Sequence, residues 1–257
     1  MKTIAIIQAR MTSSRLAGKI LKDFSNQLNM LDMQLQTLQN VLDSKNIYIA
    51  TTNNKSDDIV QIKYQNQCNV YRGDEEDVLS RFLNILKKSN ADTVIRIASD
   101  NPFIFHEGIN HLLHAHYHSN ADYTTFSIEN TPSMLVPCGL YVEIVSAHAL
   151  SEVERNANKI EKEHVTYALY TRLKDNYNIQ LLPISKYEPD LDNKNLRYTV
   201  DTLEDFNFIN EIIQSLNIKD KIGLETIKKI ILHGEENNSI EKMQKESNKT
   251  KNSKKYK

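Results

Sequence analysis

The sequence predicts an α/β fold, a mostly parallel mixed sheet with helices on both faces. Three observations carry that prediction. Short β-branched runs alternate with helix-period stretches through most of the chain, the pattern of strands joined by crossover helices. The 257 residues suffice for one large α/β domain, and 40% hydrophobic with 25% charged residues is an ordinary globular composition. A polar, cationic stretch follows the first apolar run directly, where a ligand-binding loop of a parallel sheet belongs.

The strands read in order at 3–7, 46–51, 93–98 and 140–145. Helices read at 30–42, 57–65, 76–88 and 107–118. In the third of these Val78, Leu79, Phe82, Leu83 and Leu86 recur at three- and four-residue spacing and form one apolar stripe. The second half is less regular, with a helix at 159–173, a strand at 179–184, and helices at 203–216 and 224–232. No internal repeat and no Gly/Pro-rich linker interrupts the chain, so residues 1–234 read as one domain. From 235 to 257 apolar residues nearly vanish, and seven Lys stand against four Glu. Such a segment buries too little surface to order itself, so a disordered tail is expected.

The formal net charge of -1 excludes a polycationic nucleic-acid coat, so any anion site must be local. The two cysteines, Cys68 and Cys138, have no metal spacing and read as free thiols in a reducing compartment. The N-terminal apolar run is too short for a signal peptide, and no stretch reaches the ~18–20 apolar residues of a membrane helix. A cytoplasmic protein without membrane insertion is expected. His111, His114 and His118 share a helical face, but no nearby carboxylate or thiol completes a metal set.

The stretch QARMTSSRLAGKIL, residues 8–21, interleaves Arg10, Arg15 and Lys19 with Thr12, Ser13, Ser14 and Gly18. Guanidinium groups grip phosphate oxygens in pairs, lysine adds a point charge, and small residues let backbone N–H groups approach an anion. The pattern suits a polyphosphate, although neither GxxxxGK[ST] nor GxGxxG is present. A solvated loop with scattered charge is the alternative. VIRIASDNPF, residues 94–103, ends a strand on Asp100, placed either to hold Mg²⁺ beside a phosphate loop or to make an Asx turn before proline. In YRGDEEDVLSRF, residues 71–82, a glycine turn precedes a helix with an acidic first turn, for which Asp74 is the expected cap. In LRYTVDTLEDF, residues 196–206, Asp201 or Thr202 can begin the next helix.

Together these stretches resemble the cytidylyltransferase family of sugar nucleotidyltransferases, relatives of the CMP-Kdo and CMP-neuraminate synthetases. They are most similar to the branch named for spore-coat polysaccharide biosynthesis. The resemblance runs from about Thr3 to Phe206 in ordered blocks and implies a nucleotide-diphospho-sugar transferase fold, which is Rossmann-like. By resemblance, the loop carrying Gln8, Ala9, Arg10, Ser14, Arg15 and Lys19 wraps the nucleotide triphosphate, and Gly73, Asp77, Arg81 and Arg96 bind the nucleotide. Asp100 and Asp201 are implied as the Mg²⁺ ligands. Gly139, Glu143, Glu163 and His164, in PCGLYVEIVSAHAL and KEHVTYALY, are implied as the acceptor site. Catalysis would fall to Arg10, Arg15, Lys19 and Asp100. Ala17 stands where the family usually has proline, and Tyr198 where it has tryptophan.

The implied substrates are CTP, or another nucleoside triphosphate, and a sugar or sugar phosphate. Pyrophosphate is the leaving product, and the destination is a surface polysaccharide or glycan. The resemblance allows a homodimer. Two alternatives stand beside it. One is a glycosyltransferase on the same fold, but the only D-x-D, Asp190-Leu191-Asp192, sits in a loop-like stretch. The other is a non-catalytic nucleotide-binding relative, favoured by Ala17.

Overall fold

The computed structural model describes residues 1–219 and 222–236. Four parallel strands, β1 (Thr3–Gln8), β2 (Ile47–Thr52), β3 (Asn69–Gly73) and β4 (Thr93–Ala98), lie in the order β3-β2-β1-β4. The sheet continues through β7 (Glu143–Ser146), antiparallel to β4, to β5 (Tyr123–Ile128), antiparallel to β7. β5 also pairs antiparallel with β6 (Thr131–Pro132) and parallel with β8 (Ile179–Pro183).

β1 shows why the strand is an unbroken apolar run. Ile4 and Ile6 point into one core and Ala5 and Ile7 into the other, so both faces are covered. Packed on the first face are α3 (Val78–Ser89), α5 (Ala147–Glu154) and the 165–169 segment that follows α6 (Lys159–His164). On the opposite face lie α1 (Met30–Leu38), α2 (Asp58–Tyr64), α4 (His106–His118), α7 (Leu203–Ser215) and α8 (Leu224–Glu236). The chain runs outward from β1 through β2 to β3, then crosses back to β4 on the other side of β1. That reversal opens a crevice beyond the carboxyl ends of β1 and β4.

Several elements differ from the sequence reading. The helix expected at 159–173 stops at His164, because Val165 takes φ 51° and a 3₁₀ turn, Tyr167–Tyr170, follows. The strand expected at 140–145 pairs only from Glu143. β3, β5 and α5 are additional. Of the expected tail, residues 237–257 lie outside the described residues, while 235 and 236 close α8. Cys68 and Cys138 are buried free thiols. Among the described residues no helix is long and apolar enough to cross a membrane.

Candidate active site

A cleft of about 1420 Å³ opens over the crevice between β1 and β4. Among the residues singled out in the sequence, Gln8, Ala9, Arg10, Ser14, Arg15, Lys19, Arg81, Arg96, Asp100, Gly139, Glu163, His164 and Asp201 line it. Gly73, Asp77 and Glu143 do not. Asp190 and Asp192 also lie outside its lining, around a 3₁₀ turn at Pro189–Leu191.

The cationic loop is closed on itself. Ser13 and Gly18 donate their N–H groups to the Met11 carbonyl at 3.0 and 2.9 Å, and Gly18 supplies the left-handed φ of 70° that the closure needs. Two carboxylates hold the loop from outside. Asp57, fully buried, accepts the Met11 N–H at 2.8 Å through Oδ1. Its Oδ2 accepts from Thr51 Oγ1 at 2.9 Å and from the Thr52 N–H at 3.1 Å. Glu75 accepts from the Thr12 hydroxyl and from the Asn54 side-chain amide, and Arg10 Nη1 stands 3.7 Å from it. Those two hydrogen bonds hold Glu75 below the usual carboxylate range.

Lys19 is buried where the loop enters a 3₁₀ turn, Lys19–Leu21. Its Nζ donates to the Val200 carbonyl at 2.6 Å and lies 3.4 Å from Asp201 Oδ1 and 3.9 Å from Asp100 Oδ2. Arg15 Nη2 meets the same Asp201 oxygen at 2.6 Å. The two acidic segments are tied directly, since the Val200 N–H donates to the Asp100 carbonyl at 2.9 Å. Desolvation raises the pKa of Asp100 above its ordinary value; nearby Lys19 opposes the shift and Asp201 adds to it.

The start of α7 frees Asp201 for the cleft. Thr202 is the cap, in a capping box with Asp205, so Asp201 is not used to begin the helix. Asp205 Oδ2 accepts the N–H groups of Asp201 and Thr202 at 2.8 and 3.0 Å. Arg197 Nη2 lies 3.3 Å from Asp205 Oδ2 and 3.7 Å from Asp201 Oδ2. Gly139, at φ 74°, lets its segment lie against 198–199, where a Cβ would come within 2.7 Å of the Tyr198 carbonyl carbon.

Arg81 is 2% exposed and donates to the Ala50 carbonyl at 2.8 Å. Among the described residues no carboxylate comes within ion-pairing distance of it, and burial, with Arg10 nearby, pulls it down to about 10. Gly73 makes room for Arg81, whose Cγ would be 2.8 Å from an added Cβ. Asp77, and not Asp74, caps α3: it accepts the Ser80 N–H at 2.9 Å and pairs with Lys162 at 2.9 Å, away from the cleft. Arg96 Nη2 donates to Gln8 Oε1 at 3.0 Å, while its Nη1 pairs with Glu143, sealed beneath the cleft floor.

Sequence reasoning missed Asp57, Glu75, Arg197 and Asp205. Arg197 and Asp205 sit inside the LRYTVDTLEDF block and were within reach of the resemblance. Glu75 likewise sits inside the YRGDEEDVLSRF block, whereas Asp57 carries no local signal, because its partner loop lies 46 residues away. The donor set fits a hard divalent cation. Asp100 and Asp201 already share one positive centre, the Lys19 ammonium, and no group of three potential His, Cys, Asp or Glu ligands exists among the described residues. Two hard carboxylate oxygens gathered on one positive centre are a donor set that a divalent cation bound chiefly through phosphate and water could use.

A cationic loop and two carboxylates at the switch point of a mostly parallel sheet define an α/β protein with a charged cleft at the carboxyl edge of its strands. A family model described as cytidylyltransferase matches residues 4–250. The chain belongs to the cytidylyltransferase family. It is 33% identical over 220 residues to the spore coat polysaccharide biosynthesis protein SpsF of Bacillus subtilis, covering 81% of this chain and 85% of that one. A solved cytidylyltransferase from Leptospira borgpetersenii serovar Hardjo-bovis superposes with a TM-score of 0.79 at 25% identity, covering 93% of this chain and 96% of that chain. CMP:2-keto-3-deoxy-manno-octonic acid synthetase, solved with CTP, superposes at a TM-score of 0.58 and 16% identity over 84% of this chain and 100% of that chain, a likeness of fold.

Proposed function

We propose that this chain is a cytoplasmic, Mg²⁺-dependent sugar cytidylyltransferase that serves surface polysaccharide or glycan synthesis. The observation that carries the reading is the meeting of Lys19 with Asp100 and Asp201 at the end of β1 and β4. Cations for a triphosphate and oxygens for a divalent metal then share one cleft wall.

An oxygen of the acceptor, either an ionised sugar phosphate oxygen or a sugar hydroxyl that gives up its proton to solvent, attacks the α-phosphorus of CTP. A new oxygen–phosphorus bond forms, the bond from the α-phosphorus to the bridging oxygen breaks, and pyrophosphate leaves. Arg10, Arg15 and Lys19 neutralise the triphosphate and the charge that develops on the leaving group. Arg81, buried without a carboxylate partner, is a further anion-binding group at the cleft. Mg²⁺ held by Asp100 and Asp201 would supply charge neutralisation and polarise phosphate oxygens. Glu163 and His164, with the 133–137 segment, line a further part of the cleft, offered to the acceptor. The rest of catalysis is orientation of the two substrates.

The test is pyrophosphate release with Mg²⁺, each of the four ribonucleoside triphosphates being paired with a panel of acidic sugars, amino sugars and sugar phosphates. Release with CTP and one acceptor class is expected. Release with a different nucleotide corrects the base, and a chain that binds none of the four refutes the nucleotide site.

A further inference from the structure

Glu143 is the one carboxylate of the expected acceptor set that never reaches the cleft. It is fully buried at the start of β7, and its two oxygens are divided between the two sides of the site. Oε2 pairs with Arg96 Nη1, and Arg96 in turn donates to Gln8 at the cleft surface. Oε1 accepts from the Thr166 hydroxyl at 2.6 Å and from the Tyr123 hydroxyl at 2.6 Å. Thr166 follows Val165, whose φ of 51° is foreign to a β-branched residue, and Val165 follows Glu163 and His164 of the cleft wall. A backbone in that conformation persists only where its surroundings hold it.

We propose that Glu143 is a positioning residue that braces the nucleotide side and the acceptor side of the cleft from beneath. It fixes the Arg96 guanidinium against Gln8 with one oxygen. With the other it anchors the kink that turns Glu163 and His164 into the cleft. The assignment of sides rests on the function proposed above. A buried carboxylate suits this task because its charged hydrogen bonds are short, directional and unscreened by water.

Melting curves alone do not decide the matter, since breaking any buried ion pair destabilises the fold. Two spectroscopic readouts on the ligand-free full-length chain do. Glu143→Gln is expected to release the Arg96 guanidinium, so that its separate Nη resonances merge through free rotation, and to shift the His164 ring resonance. Thr166→Val, which keeps the Arg96 pair, is expected to shift His164 and leave the Arg96 resonances as they are. It also serves if Glu143→Gln fails to fold. In calorimetry with CTP and Mg²⁺, Glu143→Gln should weaken binding about tenfold, the scale of a lost charged hydrogen bond. It should weaken binding no further in an Arg96→Gln background.

Unchanged Arg96 rotation in Glu143→Gln overturns the brace, as does an unmoved His164 in Thr166→Val. Losses of CTP affinity that add in the double variant overturn it too. If the wild-type chain binds no CTP while both resonances respond as expected, the proposed function and the nucleotide half of this assignment fall, and the mechanical brace stands.

Discussion

Lys19 and Asp201, 182 residues apart, meet at 3.4 Å over the carboxyl edge of the sheet, with Asp100 at 3.9 Å on the same ammonium. The lysine therefore occupies the place between two carboxylates that a divalent cation would take. On the function proposed above, a triphosphate arriving with its metal would draw Lys19 and Arg15 onto phosphate oxygens and leave Asp100 and Asp201 to the metal, so nucleotide and metal binding would be coupled.

Lys19→Met tests that exchange by moving two affinities in opposite directions. Removing the ammonium should strengthen the binding of Mn²⁺ alone, because the cation shared by Asp100 and Asp201 is gone and only the Arg15 and Arg197 guanidinium groups, both on Asp201, still compete. The same variant should weaken CTP binding about tenfold or more through loss of a charged phosphate contact. Mn²⁺ electron spin resonance and CTP calorimetry measure the two terms. A loss of affinity for both ligands would contradict the exchange.

Asp100 sets function against stability. Its pKa is raised in the fold, so the folded state favours the protonated carboxyl. That contribution is complete below the unfolded carboxylate value and is lost as pH rises through the raised folded value. Asp100→Asn should therefore melt above wild type at neutral pH without metal, and the two curves should converge in acid. Turnover in the variant should fall by about 10²–10³, typical of losing one electrostatic catalytic group. Conversely, CTP–Mg²⁺ binding by wild type should strengthen as pH rises through the Asp100 transition.

Asp57 makes a separate prediction, because it touches no face of the cleft yet carries the cationic loop. Asp57→Ala leaves the Met11 N–H and the buried hydroxyls of Thr51 and Thr52 without their acceptor. Stability should drop by about 1–3 kcal/mol or more, the cost of orphaned buried polar groups. Denaturant melts measure the loss, and CTP titration of the folded fraction should show weakened affinity.

Gly139→Ala should be costlier than its size suggests. The position has φ 74°, and the new methyl would press on the Tyr198–Thr199 backbone, which cannot swing aside as a side chain does. The conformational penalty alone is about 1–2 kcal/mol. The displaced segment carries Asp201, so metal affinity should fall together with melting temperature.

The outer frame of the fold was legible because its signals are local. The apolar runs of β1 and β4 and the stripe of α3 appear where periodicity places them. β5 was missed because both of its faces are buried and Thr124, Thr125 and Ser127 stand among Tyr123, Phe126 and Ile128, which breaks the apolar run that marks such a strand. β3 was missed because NVYRG is half-buried throughout. The kink at Val165 was unreadable, since valine at positive φ is held by a hydroxyl–carboxylate bond across 23 residues. The cationic loop and the two aspartates were visible in the sequence as residue types. Of their partners, Glu75 and Asp205 stand inside blocks that carry the resemblance and Asp57 belongs to an ordinary-looking polar stretch, and only the folded chain shows what the three hold.

The 186 residues between Arg15 and Asp201 also order events during synthesis. At about 5–20 residues per second, a ribosome needs on the order of 10–40 s to pass from one to the other. Throughout that interval the nascent chain carries a cationic loop without the later of its two acidic counterparts. A chain interrupted before Asp201 keeps half of the electrostatic pair, so arrested translation products should be catalytically silent rather than partly active.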